Sequence, residues 1–451
     1  MVGFVRSEQP VVVIGAGPVG LAAAAHLLER GVEPLVLEAG EGPGAAVASW
    51  GHVRLFSPWR HDIDAAARRL LDATGWVAPD EDALPTGADL VRDYLEPLAA
   101  TPAISARLRT GTRVLAVARD GADKARSLGR ARRGYRVRTL TADGRVQDLV
   151  ARAVIDASGT WSTSNPLGAS GLPAIGEGDA APYLAGPLPD VLGAHRDRFA
   201  GRHTLVVGTG HSAANTLLSL VELAESAPGT TITWAVRGGS PRRLFGGGAA
   251  DELPARGLLG TRLRAALDAG RLTLVTQVSI EQLEPAGEVV RVRGRARDGA
   301  LELEVHAIVN ATGFRPDLDM LREVRLDVDP VVESPARLAE LIDPNVHSCG
   351  TVPPHGEAVL SHPDDGFYLV GTKSYGRAPT FLLATGYEQV RSIAAALAGD
   401  RAGADAVRLH LPGTGVCSTD LEVGGGSCCG SVPEPHRVTR HAGPPAFTAA
   451  T

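Results

Sequence analysis

A short β-branched run that enters a glycine-rich turn and then a helix occurs twice in this chain. That repeat restricts the possible folds more than any other feature. Val11 to Ile14 leads into GAGPVG, and LAAAAHLLER supplies strong helix formers until Gly31 stops them. Residues 33–38 read as a second buried strand, completing a strand, turn, helix, strand unit of the kind that builds parallel sheets. The pattern begins again at HTLVVGTGHSAANTLLSLVELAE, with TITWAVR as the next strand. TRVLAVAR and GYRVRTL alternate like an antiparallel meander over residues 112–150, and ARAVIDASGT looks like a buried strand returning to the first sheet. EVVRVRG and LELEVHAIVNATG suggest a second meander and return strand. Residues 50–110 read as an irregular loop followed by helices. GFYLVGTKSYGRAPTFLLATGYEQVRSIAAAL suggests a last strand and helix, with Pro379 suited to the helix's first turn. The expected class is α/β: two Rossmann-like dinucleotide-binding units, antiparallel meanders and a flexible C-terminal tail.

In the first turn, Gly15 permits the sharp bend, Gly17 lets the backbone approach a pyrophosphate, and Gly20 lets the helix pack close to the strand, with Pro18 and Val19 between them. Glu38 ends the second strand, where a carboxylate can accept hydrogen bonds from both ribose hydroxyls and would repel a 2′-phosphate. The second turn reads Gly208, Thr209, Gly210, His211, Ser212, Ala213; alanine in place of the third glycine still permits close packing. No acid follows it. The next strand ends instead at Arg237, whose guanidinium can grip a 2′-phosphate and so select NADPH over NADH; Arg242 and Arg243 nearby read as solvated. His211 either faces the nicotinamide nucleotide or caps the turn.

Composition supports a folded enzyme-sized chain rather than a binder of polyanions or lipid. The length of 451 residues favours two or three domains, and 44% hydrophobic with 21% charged residues is near a globular average. A formal charge of -6, without a Lys/Arg block, argues against nucleic acid. No apolar run reaches the roughly 18 residues of a membrane span, and MVGFVRSEQP lacks a basic region followed by a hydrophobic stretch, so a cytoplasmic location is expected. The four cysteines form no disulfide framework and include no CxxC.

Taken in order, GAGPVG, DASGTWS, VVGTGHSA and NATGFRPD resemble the two-dinucleotide-binding flavoproteins, and within them the flavin-containing and Baeyer-Villiger monooxygenases, over about residues 8–400. The resemblance implies FAD on Gly15, Gly17, Gly20 and Glu38, and NADPH on Gly208, Gly210, Ser212, Ala213 and Arg237. Asp156 to Gly159 and Ala311 to Gly313, with Thr312 and Gly313 among the cofactor contacts, are the implied strand-end crossings. It implies an FAD domain at residues 1–165 and 311–400, an NADPH domain inserted at 166–310, and a tail at 401–451. Gly371, Pro379 and Thr380 complete the implied cofactor set.

Two departures bear on activity. YLAGPLPDVLGAHRDRFAGRHTLVVGTG does not carry the Baeyer-Villiger fingerprint, and Gly371-Thr372 stands where disulfide reductases have Gly-Asp. WGHVRLFSPWR, DPNVHSCGTVPPHG and KSYGRAPTFLLATGYEQVRS look most like flavin monooxygenases encoded with bacterial arsenic-resistance genes. The implied reaction is hydride transfer from NADPH to FAD, oxygen addition at the flavin C4a position, and delivery of one oxygen atom to a soft nucleophile. Alternatives are a reductase serving an external acceptor, or a metalloid-binding or redox-sensing flavoprotein. Partners are a small-molecule substrate, oxygen and, on this reading, a second copy of the chain.

Arg54 either holds the flavin or forms a structural salt bridge, and Lys373 either stabilises the anionic reduced ring or lies on the surface. Trp50, Trp59 and Trp161 either line the ring pocket or pack as ordinary aromatics. Cys417, Cys428 and Cys429 either offer three thiolates to trivalent arsenic or are incidental thiols of the tail, and Cys349 stands apart from them.

Overall fold

Val11–Ile14 (β1) is buried on both faces, and a strand without a polar face belongs in the middle of a covered parallel sheet. The computed structural model, which describes residues 9–241, 245, 254–343, 352–378 and 381–409, places it there. Helix α1 (Pro18–Glu29) leads to β2 (Pro34–Leu37), parallel to β1 with Ile14 opposite Leu37. β3 (Leu108–Arg109) adds beyond β2. The meander is β4 (Thr112–Arg119), β5 (Tyr135–Thr141) and β6 (Val146–Ala151), paired antiparallel. β7 (Ala153–Asp156) then returns beside β1, with Asp156 opposite Ile14.

The same plan is repeated. β8 (Leu184–Ala185) precedes β9 (His203–Val207), helix α2 (His211–Ser226), β10 (Thr231–Ala235) and β11 (Thr273–Val275). A second antiparallel meander, β12 (Ser279–Ala286), β13 (Val289–Ala296) and β14 (Gly299–Val305), leads to β15 (Ala307–Asn310). β15 returns beside β9, with Asn310 opposite Val207. The second parallel sheet has the order β11-β10-β9-β15-β8. β16 (Phe367–Leu369) then pairs with β7, giving the first sheet the order β16-β7-β1-β2-β3 from segments on either side of the second.

The first core packs α1 against the last long helix, α3 (Leu383–Leu397), and the second packs α2 on β9 and β10. All described residues lie in one compact unit. Helix α3 begins at Leu383, after Leu382 with extended dihedrals (φ -117°, ψ 145°); Pro379, expected in its first turn, lies outside the described residues. Among the described residues no helix is long and apolar enough to cross a membrane.

Candidate functional site

Each glycine turn is shaped by the return strand beside it. Gly15 has φ +99°, and a Cβ on it would stand 2.8 Å from the Ala157 carbonyl oxygen. Gly208 has φ +138°, and its Cβ would stand 2.0 Å from the Ala311 oxygen. Both positions therefore exclude a side chain on two counts, dihedral and space. Gly20 serves packing, since its Cβ would meet the Gly15 oxygen at 2.0 Å; Ala213, fully buried, stands at the matching place in α2.

Gly17 and Gly210 differ from these. Nothing lies within 4 Å of a Cβ placed on either one. Both are helix N-caps without a side-chain cap, and neither helix has an acid in its first turn. Pro18 contributes no N–H, and Val19 is buried behind it, facing Gly371 and Gly386. The remaining N-terminal amides and the positive end of each helix dipole thus face open space, which suits an anionic pyrophosphate.

Beside the first turn, Glu38 Oε2 accepts from the Ala16 amide and Oε1 from the Gly40 amide, both at 2.7 Å. A carboxylate has about four acceptor positions, so two stay available for ribose hydroxyls. In the second unit Val207 pairs with Ala235, so the residue matching Glu38 is Val236, which is buried. Arg237 comes one residue later, exposed, with Nη1 3.4 Å from the Ala169 oxygen. His211 is exposed, Ser212 half-buried, and the His211 ring lies 5.0 Å from that of Phe56.

The two return strands end in the same local turn. Asp156 Oδ1 accepts from the Ser158 amide at 3.1 Å and from Ser158 Oγ at 2.6 Å. Asn310 Oδ1 accepts from the Thr312 amide at 3.4 Å and lies 2.6 Å from Thr312 Oγ1. The Asn310 amide group and Thr312 Oγ1 also reach the Asn165 carbonyl, at 3.0 and 2.7 Å, and Ser164 bridges Phe314 across Gly313. The two crossing segments are thereby joined. Rings gather beside them: Trp50 lies 6.3 Å from Trp161, and Trp161 lies 5.1 Å from Phe314.

Lys373 is neither a surface residue nor an unpaired cation. It is 1% exposed, and its Nζ donates to Asp156 Oδ2 at 2.7 Å and to Ser158 Oγ at 3.0 Å. The turn that carries it is held from below by Gln389, whose Oε1 accepts from the Gly371 amide at 2.9 Å. The Gln389 amide in turn donates to Ser374 Oγ and to His355 Nε2. Burial holds His355 below the ordinary histidine range, so the ring is neutral and accepts this bond while Nδ1 donates to the Pro353 carbonyl. Arg54 is exposed and donates to the Leu84 carbonyl at 2.8 Å. Trp59 is buried in the first core, against which Trp50 also packs.

Phe56, Phe314, His355 and Gln389 are additions that the sequence patterns did not single out; only Phe314, following NATG as Trp161 follows DASGT, carried a local signal. Arg242, Arg243, Cys349, Pro379, Thr380, Cys417, Cys428 and Cys429 lie outside the described residues. Among the described residues no group of three metal-ligating side chains occurs.

Residues 10–166 match the model of the FAD dependent oxidoreductase family, DAO. The comparison with curated proteins returned no match. Among solved structures, the chain is similar to bacillithiol disulfide reductase Bdr of Bacillus cereus, with a TM-score of 0.63 and 18% identity over 87% of this chain and 99% of that one. It is also similar to FAD-bound DfoA, the cadaverine monooxygenase of desferrioxamine biosynthesis from Erwinia amylovora, with a TM-score of 0.60 and 14% identity over 90% and 98%. A third is the ornithine N-hydroxylase of Kutzneria sp. 744, determined with reduced FAD and NADP⁺, with a TM-score of 0.57 and 16% identity over 87% and 99%. The fold is thus that of the two-domain FAD/NAD(P)-binding flavoproteins. The family match supports an FAD-dependent oxidoreductase with FAD as cofactor.

Proposed function

We propose that this chain is an NADPH-dependent FAD monooxygenase that oxygenates a soft nucleophile such as a thioether, an amine or a trivalent arsenical. The observation that carries the reading is the pair of uncapped helix N-termini, each opened by a glycine with free space above it. One stands beside Glu38, and the other follows β9, next to β10, the strand that Val236 and the exposed Arg237 continue. On this reading FAD occupies the first turn and NADPH the second. Bound FAD would supply the hydride acceptor and the centre for oxygen activation.

The chain's own residues bind, orient and shield. The α1 amides and Glu38 fix one dinucleotide, and the α2 amides and Arg237 fix the other through its 2′-phosphate. The half-buried rings of Trp50, Trp161 and Phe314, the latter two following the return strands β7 and β15, would limit water beside a bound flavin. Support for oxygenation over disulfide reduction comes from the lack of a CxxC anywhere in the sequence and from this apolar wall. The reductase-like neighbours keep electron delivery to an external acceptor as the second reading. The test is FAD-loaded protein supplied with NADPH and a panel of sulfides, amines, arsenite and organoarsenicals. An oxygenated product formed in step with NADPH loss supports the proposal. Peroxide alone, with every substrate unchanged, overturns it.

A further inference from the structure

Lys373 and Asp156 form an ion pair from which water is excluded, at 1% and 0% side-chain exposure and 2.7 Å separation. Two ions cost most when buried, so a fold keeps such a pair only where its geometry is well satisfied. Here both carboxylate oxygens are engaged locally: Asp156 Oδ1 accepts from Ser158, Oδ2 accepts from Lys373, and Lys373 Nζ donates to Ser158 Oγ in addition.

The second sheet acts as an internal comparison. Asn310 stands where Asp156 does and builds the same turn with Thr312 as a neutral amide. The turn itself therefore does not require a charge. The carboxylate of Asp156 is accounted for by its far oxygen, which receives Lys373 from the segment after β16.

The two segments joined in this way are the walls of the first glycine turn. On one side the missing Gly15 Cβ would press on Ala157 O at 2.8 Å and on Ser158 Cα at 3.2 Å. On the other, a Cβ on Gly371 would lie 3.5 Å from Val19 Cγ2, and one on Gly386 would lie 2.5 Å from the same atom. Thr372 Oγ1 sits 3.4 Å from the Cβ position of Gly159, so the walls also approach each other there.

We propose that Lys373 and Asp156 are positioning residues: a buried clamp that fixes the spacing of the 157–159 and 371–375 segments around the Gly15 to Gly20 turn, so that a dinucleotide enters a preformed cradle. The role rests on the assignment of FAD to that turn. It differs from a lysine whose charge acts on the flavin ring, because the ammonium is already neutralised by Asp156 and enclosed.

The test compares full-length wild type, K373M, D156N and the double variant D156N/K373M. FAD affinity of the apoproteins, thermal stability without FAD, and the flavin midpoint potential of the loaded proteins are measured. Each single variant strands one buried charge and loses both stability and affinity. The double variant removes both charges, as Asn310 does in the second sheet, and regains wild-type stability. It still lacks the tether, and its FAD affinity stays about tenfold or more below wild type with the midpoint potential unchanged. A double variant that is stable and binds FAD like wild type overturns the clamp alone. A marked fall in midpoint potential in loaded K373M overturns it in favour of a charge acting on the flavin. Wild-type protein that takes up no FAD overturns the functional reading itself, and this role with it.

Discussion

Replacing Asp62 by asparagine should make the stability of the fold less sensitive to alkaline pH. Asp62 ends the short helix Trp59–Asp62 in the loop that also carries Trp50 and Phe56, and it is fully buried. Its Oδ1 accepts from Ser57 Oγ at 2.6 Å, but Oδ2 has no hydrogen-bond partner among the described residues. Its main-chain oxygen accepts from the Tyr387 hydroxyl at 2.6 Å, which pins the helix to α3. Burial pushes the carboxyl up to about 7 from an ordinary value of 3.8, with the Ser57 bond opposing it only in part.

Because the folded-state value is raised, the folded chain holds this proton more tightly than the unfolded chain, so stability falls as pH climbs from the unfolded to the folded value. At about 1.4 kcal/mol per unit, the fold loses about 2.5 kcal/mol from this group between roughly pH 5 and pH 8. The side-chain amide of D62N does not titrate, and its oxygen keeps the acceptor for Ser57. Urea denaturation of both proteins, followed by tryptophan fluorescence across that range, should show the stability of D62N relative to wild type rising by about 2.5 kcal/mol towards the alkaline end. A difference that stays constant with pH would show that Asp62 is ionised in the fold and refute the argument.

Three further outcomes follow from the same geometry. G17D should fold, because nothing crowds the position, yet lose FAD by placing a carboxylate against the pyrophosphate; a variant isolated with full flavin occupancy contradicts the site. R237A should weaken NADPH about 10- to 150-fold while sparing NADH, measured by steady-state kinetics, and an equal effect on both nucleotides removes the phosphate role. D364A should cost roughly 3–5 kcal/mol in denaturation experiments, since it strands the buried Arg119 and Arg130, and a cost below about 1 kcal/mol contradicts that network.

The sheets and glycine turns were legible because their signals are local: a β-branched run, a glycine at a fixed offset, and helix formers within a few residues. Gly15 and Gly20 could be read from the motif alone, as could Ala213. Lys373 could not, because its partner Asp156 is 217 residues away and only the return of β16 to β7 brings them together. The Phe56 contact with His211 and the Asn165 link to Thr312 are of the same kind, made between loops that no periodicity relates.

On the proposed function, electrons from NADPH are spent on oxygenating a substrate. This is tested most directly by giving FAD-loaded protein NADPH and isotopically labelled dioxygen together with the sulfide, amine and arsenical panel. The expected result is one labelled oxygen atom in the product for each NADPH consumed, and no turnover of that substrate without oxygen. Unlabelled product, or NADPH oxidation that proceeds equally fast under anaerobic conditions with an added electron acceptor, would contradict it.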